Sequence, residues 1–423
     1  MRPRRPNVII VGAGIGGLTL ALELHDAGIP CRVYEAVPAL TPIGVGINVL
    51  PHATAVLDRL GLTAPLAEAG VTTRESVFYN RFGQLIYREP AGRYAGYDSP
   101  QFSIHRGDLQ RILLDAVRDR LGPDAVRLGH RCTGVTQDDD GARASFRGVP
   151  GDEALSVEPA DVLVGCDGIH SVIRRQLHPT EGEPVYSGVN MWRGVTAWPP
   201  FLSGASMVRA GWLTSGKMVI YPIRDAIDEA GNQLVNWVAE LETPHHERRD
   251  WNRTGNLDDF VGAFADWHFD WLDVPALLRA SDSVLEYPMV DQDPLDHWTL
   301  GRVTLLGDAA HPMVPRGSNG AGQAILDAHA LREELSGTDD VGAALRAYES
   351  RRLPATARVV RTNRSNPPDA ILREVFTRTR DRPFTRIEDV ISVAELAAIS
   401  NRYKEVAGYA QRRDDDTRSS PRR

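Results

Sequence analysis

Residues 7–27, NVIIVGAGIGGLTLALELHDA, leave few folds open to this chain. An apolar run, NVIIV, ends at Gly12-Ala13-Gly14-Ile15-Gly16-Gly17, and a second apolar run, LTLALEL, follows directly. This is a G-x-G-x-x-G placed between a buried strand at residues 7–11 and a helix at residues 18–27. Gly12 permits a tight turn, Gly14 lets a pyrophosphate approach the backbone, and Gly17 lets the helix pack close to the sheet. The helix start supplies unpaired N–H groups and positive potential for an anion. A second short strand, CRVYEA at residues 31–36, carries Glu35 about 20 residues on, where a carboxylate can take ribose hydroxyls. Strand, helix and strand within about 30 residues make one βαβ unit, the building block of parallel sheets. The motif by itself does not separate FAD from NAD.

The basic head MRPRRP before an apolar run resembles a secretory leader. Four glycines interrupt that run, and it ends at Glu23 with no A-x-A cleavage pattern, so a strand and glycine turn explain it better. No other uninterrupted apolar segment reaches 18 residues, and no membrane span is expected. Cys31, Cys132 and Cys166 form no C-x-x-C and no metal pattern, which fits a reducing cytoplasm. The His245–His246 pair, in ETPHHERRD, reads as solvated loop, and no metal site is expected. Formal net charge is −8 with a pI near 5.9, and the basic pieces sit at the two ends, so no nucleic-acid partner is expected. The polar C-terminal tail reads as disordered.

Two further motifs end apolar runs. Cys166-Asp167-Gly168-Ile169-His170-Ser171-Val172-Ile173-Arg174 follows ADVLVG, and Ser171 and Arg174 fall at the start of a helix. An Asp-Gly turn also serves simply to reverse a chain. The other motif, GDAAHPMVPRGSNGAGQAILD at residues 307–327, follows VTLL. Asp308 then stands at the carboxyl edge of a sheet, where ligands bind in open α/β folds. Gly317, Gly320 and Gly322 let a flat ring rest on backbone, Asn319 suits a left-handed turn, and Pro312 and Pro315 stiffen the wall. A helix beginning near Ala321 aims its positive end at the loop, where negative charge on a reduced ring would be stabilised. There is no Gly-Lys-Ser/Thr, so this is not a triphosphate loop.

The texture between residues 184 and 289 differs. Runs such as MWRGVTAW, GKMVIYPI and QLVNWVAEL alternate and are separated by turns, as in an antiparallel sheet. SVFYN and LIYRE suggest a small hairpin. The expected fold class is α/β: a Rossmann-like unit with a parallel sheet, an inserted antiparallel β-sheet domain and a helical C-terminal part. The discontinuous nucleotide-binding domain is expected at residues 6–75, 101–183 and 290–360. The β-rich substrate domain is expected at 76–100 and 184–289, a helical segment at 361–410 and the tail at 411–423.

Together GAGIGG with Glu35, Ile104-His105-Arg106-Gly107-Asp108-Leu109, the Asp167–Arg174 motif and the Gly307–Pro315 motif resemble the class A flavoprotein aromatic monooxygenases. That group includes the para-hydroxybenzoate and salicylate hydroxylases, and the resemblance spans roughly residues 6–360. Met191-Trp192-Arg193-Gly194-Val195 and the ending SNGAGQAILD resemble its phenazine hydroxylase branch, while Asn-Gly-Ala replaces the second G-x-G step of many relatives. The resemblance implies FAD. Gly12, Gly14, Ile15, Gly16 and Gly17 would hold the pyrophosphate and Glu35 the adenosine ribose. Arg106 would pair with the pyrophosphate, a surface salt bridge being its alternative. Val135 would touch the adenine through its backbone, and Asp308 would bind the ribityl region. Pro315, Gly317, Asn319 and Gly320 would line the isoalloxazine. Asp167 would serve FAD binding and nicotinamide access, and Gly46, in the loop 44–47, would lie near the flavin's mobile position.

The implied cycle uses NADH or NADPH as a transient donor without a Rossmann unit of its own, and no second G-x-G-x-x-G is present. Reduced FAD would react with O2 to a C4a-hydroperoxyflavin, which hydroxylates a phenolic, carboxylated or phenazine-like ring. The flavin carries the chemistry, so no catalytic side chain is singled out. Trp192, Arg193 and Tyr221 are candidates to line the pocket with Pro315, or to be core, and Arg193 could pair with a substrate carboxylate. A reductase, a dehydrogenase or a halogenase of the same fold is the alternative. The W-x-W-x-I-P of such halogenases is absent, Trp267 and Trp271 being spaced differently. A non-catalytic nucleotide-binding protein finds no helix-turn-helix to support it. A cytoplasmic monomer or homodimer is expected.

Overall fold

The computed structural model describes residues 5–41, 44–243, 253–365 and 368–411. His245, His246 and residues 412–423 of the tail lie outside the described residues.

Five parallel strands form the first layer, in the order Val303–Leu305, Val162–Gly165, Val8–Val11, Cys31–Tyr34 and Val126–Arg127. Their pairing is in register from Val8↔Val162 and Val8↔Cys31 outward. Val8–Val11 and Val162–Gly165 are apolar and buried throughout, while Cys31–Tyr34 buries only Val33 and Tyr34 and leaves Arg32 exposed. The helix Ile15–Asp26 packs on Gly320–Gly337 and on Arg106–Leu121. It starts three residues earlier than the sequence suggests, since Gly16 and Gly17 form its first turn rather than the turn before it.

The second layer is an eight-stranded sheet. Its centre is Val185–Trp198, Gln233–Glu242, Gly216–Arg224 and Ser206–Trp212, antiparallel throughout. The hairpin Glu75–Tyr79 and Leu85–Pro90 extends one edge, joining Ser206–Trp212 in parallel. Two features escaped the sequence reading. A three-stranded sheet, His130–Asp138, Gly141–Gly148 and Ala154–Ala160, stands beside the parallel one, and Gly46–Val49 pairs with Phe102–His105.

Side chains alternate along each strand. Trp192, Trp237, Val208 and Ile220 face outward into a core with Phe260, Phe264 and Trp267. Met191, Val238 and Met289 face the opposite way and meet Val314 of the parallel unit. The inner face is therefore the one turned toward the loops at the sheet's carboxyl edge.

Behind these layers run the helices Val341–Ser365, Ala370–Thr379 and Val393–Ala407. The last docks through Ser400 Oγ and Lys404 Nζ on the Glu89 carboxylate, at 2.8 and 2.9 Å. Gln411, placed by sequence in the tail, donates from Nε2 to the Ala95 carbonyl at 2.9 Å. No described helix is long and apolar enough to cross a membrane.

Candidate active site

Four loops meet at the carboxyl ends of neighbouring strands. Gly12 N–H donates to Tyr34 O at 2.7 Å, Cys166 N–H to Val11 O at 2.8 Å, and Leu306 N–H to Gly165 O at 2.9 Å. These bonds carry the ladder beyond the strands and set Gly12–Gly17, Glu35, Asp167 and Asp308 along one edge. The Glu35 carboxylate accepts from Ala13 N–H at 2.8 Å and Val37 N–H at 3.0 Å. Each of its oxygens keeps a lone pair for a hydroxyl donor.

The glycines of the first loop differ in what holds them. Gly12 has φ +110°, and a Cβ there would sit 2.3 Å from the Cys166 carbonyl oxygen. Protein packing alone demands glycine at this position. Gly14 has φ −74°, and a Cβ there would meet nothing within 4 Å. No protein atom asks for glycine at position 14, yet the open space lies at the start of the helix Ile15–Asp26. That vacant cradle beside free N–H groups fits a dinucleotide pyrophosphate. Ile15 opens the helix, Gly16 rests on Leu306 and Ala324, and Gly17 lies against the Gly12 carbonyl.

Arg106 is exposed and forms no ion pair with the described residues, so the surface salt bridge does not occur. The paired acid is Asp108, held by Arg224 and, at 3.7 Å, by Arg111. The Asp308 carboxylate is likewise exposed, without a hydrogen-bond partner among the described residues, and faces Gly320 at the start of the next helix. Among the described residues the Arg106 cation and the Asp308 carboxylate thus both lack an ionic partner.

Other predicted residues are occupied. Val135 N–H donates to Gln176 Oε1 at 2.9 Å, and Gln176 Nε2 donates to Val135 O at 2.5 Å. The strand His130–Asp138 pairs on one side only, and the amide satisfies its other edge. The adenine contact expected of Val135 therefore finds its N–H already taken. Asp167 caps its own helix, accepting from Ser171 Oγ at 2.5 Å and Val172 N–H at 2.8 Å, and burial raises its pKa against those bonds.

The 307–327 motif closes on itself. Buried Asp327 accepts from Gly307 N–H at 3.2 Å, from His311 Nε2 at 2.6 Å and from Arg352 Nε at 2.6 Å. Burial alone would raise its pKa, but His311 and Arg352 outweigh it and hold the carboxyl below its usual range. Pro315 is exposed at the loop, followed by Gly317 at φ +79° and Ser318 at φ +56°. Asn319, expected to take the left-handed turn, has φ −105° instead. Its side chain is held by Tyr403 and Gly317, while Ser318 takes the left-handed step.

On the facing sheet, Arg193 and Tyr221 point inward, but Trp192 does not. Period-two alternation puts Trp192 in the outer core, stacked on Phe260 with centroids 5.0 Å apart, so it lines no pocket. Arg193 Nη2 donates to Gly46 O at 2.7 Å, and Gly46 N–H donates to Asn236 Oδ1 at 2.7 Å. This clamps the start of the strand Gly46–Val49, read from the sequence as part of a 44–47 loop, to the sheet. Arg193 Nε is buried without a partner, and the residue has no carboxylate within salt-bridge distance among the described residues. Burial lowers its pKa, and the phenols of Tyr221 and Tyr287 work against that. Burial raises the Tyr221 pKa in turn.

One site neighbour carries no sequence signal. His52 follows Pro51 and is half-buried, its ring nitrogens shielded from solvent and its ring stacked on Tyr409 with centroids 5.1 Å apart and planes at 11°. Among the described residues no cluster of His, Cys, Asp and Glu could hold a metal ion.

Comparisons with known proteins agree over nearly the whole chain. The FAD binding domain family matches residues 5–363. The phenazine 1,6-dicarboxylic acid hydroxylase PhzS of Lysobacter antibioticus is 44% identical, covering 95% of this chain and 97% of its own. The 6-hydroxynicotinate 3-monooxygenase of Bordetella bronchiseptica is 32% identical, over 86% of this chain and 91% of its own. Among solved structures, a salicylate hydroxylase substrate complex superposes with a TM-score of 0.71 at 24% identity, over 96% of each chain.

Proposed function

The chain belongs to the FAD-binding domain family of flavin-dependent aromatic hydroxylases, and from this we propose that its substrate is a heteroaromatic carboxylic acid anchored by Arg193. It is an FAD-dependent monooxygenase that takes its electrons from NAD(P)H. When bound, FAD supplies the redox chemistry that places one oxygen atom, drawn from O2, on the aromatic ring.

The chain's part is to bind, aim and keep water out. The Gly14 cradle would take the pyrophosphate, with Gly12, Ile15, Gly16 and Gly17 building it. Glu35 would take the ribose, and Arg106 and Asp308 are free for the pyrophosphate and the ribityl chain. Pro315, Gly317, Asn319 and Gly320 would lie along the ring, and Gly46 would bound the site on the sheet side. Asp167 would act through its helix cap. Tyr221 would line the substrate space beside Arg193.

The observation that carries the substrate class is the Arg193 guanidinium. It is a half-buried cation whose hydrogen bond goes to a neutral carbonyl and whose enclosed Nε has no partner among the described residues, and a carboxylate is the group that would complete it. The relatives named above act on a phenazine dicarboxylic acid and on hydroxynicotinate, both aromatic carboxylates with a ring nitrogen.

The test is NADH and NADPH oxidation, oxygen uptake and product mass for the FAD-loaded protein. Phenazine-1,6-dicarboxylate, phenazine-1-carboxylate and 6-hydroxynicotinate would be compared with their carboxamides. The acids should give hydroxylated products, heavier by one oxygen where a ring hydrogen is replaced, or with one oxygen gained and CO2 released where the hydroxyl takes the place of the carboxyl group. Arg193→Gln should lower kcat/KM for an acid by about 10- to 100-fold while sparing the amide. Equal turnover of acid and amide by the native enzyme would sink the carboxylate reading.

A further inference from the structure

We propose that Tyr403, on a helix beyond the matched domain, is a positioning residue for the loop Pro315–Asn319 beside the flavin ring. The inference rests on the placement of that loop given above. The constraint comes from outside the matched domain, since the family match ends at residue 363 and Tyr403 belongs to the helix Val393–Ala407.

The Tyr403 hydroxyl closes a buried chain of hydrogen bonds around the loop. It accepts from Asn319 Nδ2 at 2.8 Å and donates to Asn363 Oδ1 at 3.0 Å. Asn319 Nδ2 also reaches Gly317 O at 3.2 Å, and Asn363 Nδ2 reaches Val314 O at 3.4 Å. One hydroxyl thus ties both ends of the loop, at Val314 and at Asn319. Asn319 and Asn363 are 1% and 0% exposed, so neither can turn to water if the hydroxyl is lost.

Contact adds to bonding. A Cβ on Gly317 would sit 1.8 Å from the Tyr403 oxygen, so the phenol lies directly against the backbone at that turn. Ser318, at φ +56°, holds a left-handed conformation without being glycine. Such a conformation is unfavourable for a residue with a Cβ and persists only where the surroundings enforce it. Tyr403 supplies that enforcement. Burial raises its pKa far above the ordinary phenol, so the hydroxyl keeps its proton and its donor role across the working pH range.

The helix does not depend on this hydroxyl for docking. Ser392 caps its start, Ser400 and Lys404 hold Glu89, and Gln323 Nε2 donates to Ala407 O at 3.2 Å. Removing one oxygen therefore releases the loop and leaves the helix in place.

The experiment compares Tyr403→Phe, Ser400→Ala and Asn319→Ala as FAD-loaded proteins. Two readouts are followed: hydrogen exchange of residues 314–323 and the midpoint potential of the bound flavin by dye equilibration. Tyr403→Phe should retain its FAD, speed exchange in the segment by about tenfold and shift the potential. Ser400→Ala, which weakens docking alone, should change neither. Asn363→Ser removes the acceptor with the phenol ring intact and should repeat the Tyr403→Phe result if that variant loses FAD. Unchanged exchange in both Tyr403→Phe and Asn363→Ser overturns the proposal, and so does an equal effect from Ser400→Ala. If Asn319→Ala shifts the potential and Tyr403→Phe does not, the loop faces the flavin but Tyr403 does not position it. If both free the loop and neither moves the potential, the loop's placement beside the flavin falls instead.

Discussion

Arg174 Nη1 donates to the carbonyl oxygens of both Ala309 and Ala310, at 2.9 Å each. The residue is 2% exposed, and its Nε donates to Glu181 Oε2 at 2.7 Å. A side chain of the Asp167 motif thereby fixes the backbone that follows Asp308, so two distant stretches of sequence form one wall.

Arg174→Met should expose that dependence. It leaves two buried carbonyls without their donor and Glu181 without its cation, a change expected to cost about 3–5 kcal/mol. Arg174→Lys should recover only part, because one ammonium cannot span the carbonyls and the carboxylate together. Urea unfolding of the apoprotein and FAD titration check both points. FAD affinity unchanged in a destabilised Arg174→Met would show that the wall does not set Asp308.

The two glycines of the first loop separate folding from cofactor binding. Gly14→Ala meets no protein atom and has an ordinary φ, so the apoprotein should keep its stability within about 1 kcal/mol. Its FAD affinity should fall by at least about tenfold. Gly12→Ala, with φ +110° and the Cys166 carbonyl 2.3 Å away, should damage the apoprotein itself. Full FAD affinity in Gly14→Ala would remove the pyrophosphate from this cradle.

His52 makes stability depend on acid. Burial pushes its pKa from 6.5 down to about 4. The unfolded chain takes up this proton first as pH falls, so His52 costs nothing above pH 6.5. Between there and about pH 4 it withdraws stability on the order of 3 kcal/mol. Unfolding of His52→Asn and the native protein, compared at about pH 7.5 and about pH 4.5, checks this. A native-like loss in the variant would mean that other groups carry the acid sensitivity.

What could be read in the sequence follows from what is local. Gly12 to Gly17, Asp167 and Gly307-Asp308 each end an apolar strand, and a strand end plus a turn is written in consecutive residues. The inner and outer faces of the inserted sheet were equally written, in the alternation of Met191, Trp192 and Arg193, but not which face meets the loops at the parallel sheet's carboxyl edge. The packing of Met191 and Met289 with Val314 and the Arg193–Gly46 hydrogen bond decide that, and they turn Trp192 away from the site. Tyr403, Asn363, Gln176 and His52 act across tens or hundreds of residues on no repeated spacing, and their partners are evident only once the chain is folded.

The order of the parallel sheet also sets a timetable for making the protein. The strand Val162–Gly165 lies between Val8–Val11 and Val303–Leu305, and all four of its residues are buried in the finished fold. On the ribosome, it must wait through the synthesis of residues 166–302 before its second neighbour exists. Until then it is a short apolar edge strand open to any other chain. The Gly307-Asp308 wall emerges later still, and Tyr403 after it. A chain that stops between residues 166 and 302 would therefore keep that apolar edge exposed instead of burying it between two neighbours.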